Sequence, residues 1–273
     1  MPAFVCTTCG TQYPPSDPPP AGCAICQEER QYVNPLGQDW TTLDALRRTH
    51  RNAWGEVEPG LLGVGTVPAF AIGQRALLLR LPGGNVLWDC ISLIDPATIA
   101  IVRALGGLSA IAISHPHYYA AMVEWSQAFD APVYLHDADR RWVMRPDPAI
   151  RFWTGETHEI APGATLIRCG GHFAGATVLH WAQGANAAGA LLSGDVAQVG
   201  PDKKVSFMRS YPDLIPLDAS SVRHIADALA PWPFEPIYGA WWDRVIGGGG
   251  KAVMEASVRR YVDAISRPPV ESG

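Results

Sequence analysis

Ser114-His115-Pro116-His117-Tyr118-Tyr119 follows the apolar run from Ser109, and Gly170-Gly171-His172-Phe173-Ala174-Gly175 follows another, from Thr165 to Cys169. A third stretch, Leu191-Leu192-Ser193-Gly194-Asp195, has the same form: apolar residues, a small-residue turn, then a carboxylate. In each case a strand would deliver a polar side chain to the rim of a sheet. Histidines two apart point the same way only in extended chain, because strand side chains repeat every second residue. The spacing therefore predicts His115 and His117 on extended backbone, with their imidazoles converging on one ion. His172 and Asp195, arriving from later strands, would complete its shell. Three protein ligands with one position left open is how catalytic zinc holds a reactive water.

Around these stretches the pattern alternates between strands and helices. A helix is expected over Trp40–Trp54 with Thr41 or Thr42 as its cap, and an alternating strand over Val67–Arg80. The latter turns at Pro82-Gly83-Gly84-Asn85 into Val86–Asp89. Helices follow over Pro96–Leu105, Ala120–Phe129 and Ala138–Val143, with strands at Ser109–Ser114 and Val133–Leu135. Further strands are expected at Arg151–Trp153, Thr165–Cys169, Thr177–Trp181, Ala190–Leu192 and Pro236–Tyr238. Two later helices run from Asp218 to Leu229 and from Ala252 to Ile265. Gly247–Gly250 lacks the residues of a phosphate loop and is expected to be a turn. Hairpins first, then mixed strands and helices, imply two sheets sandwiched between helices.

The order His-x-His, then His in a Gly-rich turn, then Asp after a strand resembles the metallo-β-lactamase superfamily, from about Gly63 to the C-terminal helix. The resemblance implies an α/β fold, a four-layer αββα sandwich, and hydrolysis at a metal site formed by His115, His117, His172 and Asp195. The superfamily's first motif reads H-x-H-x-D-H, its Asp-His pair serving a second metal. Here those positions hold Tyr119 and Ala120, and the late histidine, due near Tyr238-Gly239-Ala240-Trp241, is absent. One ion is therefore expected rather than two. Asp195 and Tyr119 are the candidate catalytic residues, Asp195 orienting the water or binding the ion and Tyr119 donating to a developing oxyanion. Trp153, Trp241 and Trp242 are candidates for an apolar pocket wall. His136 is a substitute ligand of last resort, His180 a packed histidine, and His50, His158 and His224 belong to no constellation.

Four of the six cysteines form Cys6-x-x-Cys9 and Cys23-x-x-Cys26, with Pro14, Pro15, Pro18, Pro19 and Pro20 between the pairs. Two such knuckles can wrap four thiolates tetrahedrally around one zinc, and so short and polar a segment needs a metal to supply its folding energy. This assigns residues 1–35 to a zinc-ribbon-like module and 36–273 to the hydrolase-like domain. The first knuckle, Cys6-Thr7-Thr8-Cys9-Gly10, also resembles rubredoxin, which holds iron. Rubredoxins space their knuckles more widely and place glycine after the second, where this chain has Gln27. Cys90 and Cys169 sit in apolar runs as free thiols.

The chain of 273 residues has room for one large domain and a small appendage, and its net charge of −5 offers no basic surface for nucleic acid or anionic membrane. No apolar run reaches a membrane-spanning length, and reduced thiols suit the cytoplasm. The expected partner is a small-molecule substrate, an ester, thioester or lactone. A second copy or a protein partner could also meet the chain through the ribbon. Two other functions remain open on sequence: a binding protein that has lost catalysis, and an iron redox protein. Metal stoichiometry separates the three.

Overall fold

In β6 (Arg75–Leu79) Leu77 and Leu79 face one way and Leu78 the other, and β7 (Val86–Trp88) splits likewise between Val86 with Trp88 and Leu87. All six are buried, so this sheet is covered on both faces. The computed structural model describes residues 1–267.

The chain begins with a small antiparallel sheet of β1 (Ala3–Cys6), β2 (Gln12–Pro15) and β3 (Trp40–Thr42), ordered β2-β1-β3. The ladder of the cysteine module thus takes its third strand from beyond residue 35. After α1 (Leu43–Thr49) come β4 (Arg51–Glu58), β5 (Leu61–Val67), β6 and β7. Then follow α2 (Pro96–Ala104), β8 (Ala110–Ala112), α3 (Met122–Phe129), β9 (Val133–His136) and β10 (Ile150–Trp153). They form a seven-stranded sheet, β10-β9-β8-β7-β6-β5-β4, parallel from β7 to β10 and antiparallel from β4 to β7.

The second sheet is built from β11 (Thr157–Ala161), β12 (Ala164–Arg168), β13 (Thr177–Trp181) and, after the single turn α4 (Gly184–Ala187), β14 (Ala190–Gly194). Two short ladders follow, β15 (Gln198–Val199) with β16 (Val205–Ser206) and β17 (Met208–Ser210) with β18 (Ile215–Pro216). Then α5 (Ala219–Leu229) precedes β19 (Ile237–Gly239), β20 (Val245–Ile246) and α6 (Gly250–Ile265). The sheet order is β11-β12-β13-β14-β19-β20.

Three cores follow from the strand alternation. Leu77, Leu79, Trp88 and Ala112 meet Leu166, Leu179 and Leu192 between the sheets. Leu78, Leu87 and Ile111 face Val102 of α2 and Val123 and Trp125 of α3. Ile167, Val178 and Leu191 face Val222 and Ile225 of α5 and Met254 of α6. The result is the four-layer αββα sandwich. Its helix starts are capped locally: Asp95 Oδ1 accepts from Thr98 N at 2.7 Å, and Asp218 accepts from Ser220 N and Ser221 N at 2.9 Å each.

Three sequence expectations change, and β11 was not foreseen. The helix over Trp40–Trp54 is only α1, capped by Thr42. Trp40 instead pairs with Cys6 in the small sheet, and Arg51–Glu58 is an edge strand on β5. Sheet pairing overrides helical propensity on both sides of α1. The strand over Val67–Arg80 divides into the ends of β5 and β6 around a loop containing Pro68 and Gly73. Ala138–Val143 is a 3-10 segment, Asp137–Trp142, not an α-helix. The side chains of β11 are exposed or half-buried and so show no apolar alternation.

Candidate metal centre

His115 leaves β8 in extended backbone (φ −169°, ψ 170°), but Pro116–Tyr118 is a single 3-10 turn. His117 therefore does not lie on extended chain as its spacing predicted: proline's fixed φ starts a turn at once. The turn still brings the imidazoles together, with centroids of His115 and His117 5.2 Å apart. His172 arrives through Gly170 and Gly171, both at positive φ. A Cβ on Gly171 would stand 2.9 Å from Leu217 Cδ1 and 3.0 Å from Ile225 Cδ1, so only glycine lets the turn press onto α5. Gly194 (φ +50°) does the same before Asp195, where a Cβ would meet Ser114 Oγ at 2.6 Å. That close approach seats the end of β14 beside the end of β8. One donor atom from each of His115, His117, His172 and Asp195 lies within 4.8 Å of every other.

All four are nearly sealed from solvent. Burial, then the neighbouring imidazoles, holds His115 and His117 well below the usual histidine range. Burial pushes His172 down to about 4. His172 Nδ1 lies 3.0 Å from the Met208 carbonyl, which can only accept, so the proton sits on Nδ1 and Nε2 keeps its lone pair. That Nε2 is 3.3 Å from His117 Nδ1. His115 Nδ1 meets Ser114 Oγ at 2.9 Å, and its Nε2 faces Asp195 Oδ2 at 3.6 Å. The Nε2 atoms of His115 and His117 are buried with no hydrogen-bond partner among the described residues. Neutral imidazoles with orphaned nitrogens, set around a carboxylate, fit a divalent cation.

Two supporting residues were missed on sequence. Tyr118 donates to Asp195 Oδ1 at 2.7 Å, and Asp89 Oδ1 accepts from Ser114 N at 2.8 Å. Burial pushes the carboxyls of both Asp195 and Asp89 up to about 7. Residues three apart share a face of a 3-10 turn, so Tyr118 stacks edge-on to His115 with centroids 4.3 Å apart. Tyr119, one step further round, points away. It lies in the core with Met122 and Val123 and beside Thr11 and Gln12 of the cysteine module. Its expected contact with the reacting centre is therefore corrected: of this adjacent pair it is Tyr118 that reaches Asp195. Ala120 (φ +42°) gives its carbonyl to Gln12 N at 3.0 Å.

His117, His172 and Asp195 floor a cavity of about 110 Å³. Ile72, Tyr211, Pro212 and Trp241 form most of its wall, and Gln31 and Tyr32 of the N-terminal segment close it. Trp241 is held there by its indole N–H, which donates to the Ile72 carbonyl at 3.1 Å. The other candidate tryptophans lie elsewhere: Trp153 is in the inter-sheet core and Trp242 is exposed. His136 is engaged at both ring nitrogens, with the Gly155 carbonyl and Ala138 N, and takes no part in the centre. His180 packs against Trp232 and meets the Pro233 carbonyl at 2.7 Å.

The second cluster is Cys6, Cys9, Cys23 and Cys26, all buried and also within 4.8 Å of one another. Sγ atoms of Cys6 and Cys26, and of Cys9 and Cys23, stand 3.6 Å apart, far beyond a disulfide's ~2.05 Å. Gln38 Nε2 donates to Cys6 Sγ at 3.3 Å and Tyr13 Oη to Cys23 Sγ at 3.5 Å, contacts that would orient these sulfurs around an ion. The sequence could not place this module. It docks through Gln12 on Ala120, through Ser92 Oγ on the Gly10 carbonyl, and through Ser210 Oγ on the Arg30 carbonyl.

No family model matches the chain. It is 46% identical to the uncharacterized protein YmaE of Bacillus subtilis (strain 168) over 269 residues, 97% of this chain and 98% of that one. The chain belongs to the YmaE family. Its fold matches solved metallo-β-lactamases. VMB-1 superposes with a TM-score of 0.60 at 12% identity, over 79% of this chain and 99% of that one. FIM-1 of Pseudomonas aeruginosa, solved in a mono-zinc form, gives 0.57 at 13%, over 80% and 97%. This YmaE relative therefore has the metallo-β-lactamase fold that the histidine motifs implied. No helix among its described residues is long and apolar enough to cross a membrane.

Proposed function

We propose that the protein is a metal-dependent hydrolase. It holds one catalytic ion, zinc or another divalent metal, at His115, His117, His172 and Asp195, and one structural zinc at Cys6, Cys9, Cys23 and Cys26. The observation that carries this reading is the pair of buried, partnerless Nε2 atoms of His115 and His117 beside the lone pair of His172 and the carboxylate of Asp195. A divalent ion in such a set polarises a carbonyl and lowers the pKa of a water from about 15.7 to about 7.

The chain's own residues provide the rest. The Met208 carbonyl fixes the His172 tautomer, and Ser114, tied to Asp89, orients His115. Tyr118 anchors one oxygen of Asp195, leaving Oδ2 turned into the cluster to bind the ion or take a proton. One ion rather than two is supported by the residues at the second-site positions. Tyr119 and Ala120 face the core and the cysteine module, and the segment after β19 presents the indole of Trp241. The small, largely apolar cavity carries no lysine or arginine among its lining residues. Uncharged esters, thioesters and lactones therefore suit it better than phosphodiesters, for which two-metal clamps are the common solution. Six unpaired cysteines favour a reducing compartment such as the cytoplasm.

The test is a panel of small esters, thioesters and lactones with the zinc-loaded protein. We expect turnover that His117→Ala abolishes. No turnover across the panel would give the lead to a non-catalytic binding protein, and turnover that survives His117→Ala would take the catalysis away from this centre.

A further inference from the structure

We propose that Gln31, carried on the segment that follows the cysteine knuckles, is a substrate-contacting specificity residue. It selects an uncharged substrate with an amide or hydroxyl group beside the scissile carbonyl. The proposal rests on the hydrolase reading above. Gln31 is only 6% exposed and lies on the wall of the cavity floored by His117, His172 and Asp195. Its side-chain amide is not among the sealed, partnerless polar groups of the described residues, so it keeps a face open to the cavity. An amide offers both donors and an acceptor, so its complement is a neutral group that does the same.

The segment is held rigidly on either side of this residue. Gln31 N donates to the Glu28 carbonyl at 2.9 Å, and the Arg30 carbonyl accepts from Ser210 Oγ at 3.2 Å. The Arg30 guanidinium lies over the Phe173 ring at 4.3 Å, and Glu29 pairs with Arg209. The buried Arg30 is thus turned onto an aromatic face, pairs with Glu28 and does not line the cavity. A substrate anion would find Asp195 there and no lysine or arginine. The cysteine module therefore does more than stabilise the fold: its knuckles set the position of one wall of the substrate cavity.

The experiment compares methyl N-acetylglycinate with its apolar isostere, methyl 4-methylpentanoate, on zinc-loaded wild type, Gln31→Met and Tyr119→Phe. We expect wild type and Tyr119→Phe to favour the amide ester by about tenfold in kcat/KM, mainly through KM, and Gln31→Met to bring the ratio to about one. Gln31→Asn, which keeps the amide but withdraws it by one methylene, should also lose the preference, and it serves if the methionine variant does not fold. Binding of N-acetylglycinamide, read by titration calorimetry, should weaken about tenfold in the two Gln31 variants and requires no turnover. If neither ester is hydrolysed but this binding weakens, the hydrolase reading fails and the Gln31 contact stands. If turnover proceeds and the preference and the binding are unchanged in both Gln31 variants, the contact is overturned.

Discussion

Tyr118 and Tyr119 are adjacent in sequence and both buried, yet a rotation of one residue along a 3-10 turn sends one to Asp195 and the other into the core. Tyr118→Phe should therefore weaken metal binding at the histidine site by about 10–100-fold, as loss of a ligand's hydrogen-bond partner does. Tyr119→Phe should leave that affinity unchanged, and competition with a chelator of known affinity measures both. A second residue-scale prediction concerns Asp139, whose carboxyl burial pushes up to about 6 while Gly175 N donates to it at 2.9 Å. A raised carboxyl pKa means the folded state disfavours the charge. The cost is full above pH 6 and is relieved as pH falls toward the unfolded value of about 3.9. Asp139→Asn keeps an acceptor for Gly175 and should stabilise the protein at pH 7 by about 2 kcal/mol, with no gain at pH 4. Denaturant titrations at the two pH values check this. At this scale the sequence showed the donors His115, His117, His172 and Asp195, because residue type and strand-end placement are visible in it. It hid the contacts of Tyr118 and Asp89 and the place of Gln31 on the cavity wall, which depend on a turn's rotation and on which segments pack together.

Local structure was legible where a cap or a turn announced it. Asp95-Pro96 and Asp218 start α2 and α5, and Pro82-Gly83-Gly84-Asn85 joins β6 to β7. Asp95→Ala should cost about 1 kcal/mol, read as a fall in melting temperature of about 2–4 °C. The stretch from Trp40 to Trp54 misled because its pairings are distant: Trp40 with Cys6, and Arg51–Glu58 with Leu61–Val67. The cysteine module is the element whose behaviour should depend most on metal. Its buried apolar contacts are few beyond the four sulfurs and Ile25, and metal binding is then folding energy. Cys26→Ser should lose one zinc per chain and expose the first 42 residues to limited proteolysis. The region around β6 to β9 and β12 to β14 should stay resistant.

Over the whole molecule, the two sheets bring the ends of β8, β12 and β14 to one rim, and the cysteine module closes the cavity there through Gln31 and Tyr32. Alternation in the strands made the sandwich legible. The docking of the module was not, because it runs through backbone and hydroxyl contacts such as Gln12 to Ala120 and Ser92 to Gly10, which leave no pattern in the sequence. The central claim is that the chain carries two separate metal sites of one ion each, and metal analysis of the purified protein against protein concentration tests it most directly. The account predicts two ions per wild-type chain, and one per chain in His115→Ala, with the cysteine-bound ion retained. One ion in wild type that His115→Ala leaves untouched, or three ions in wild type, would contradict it.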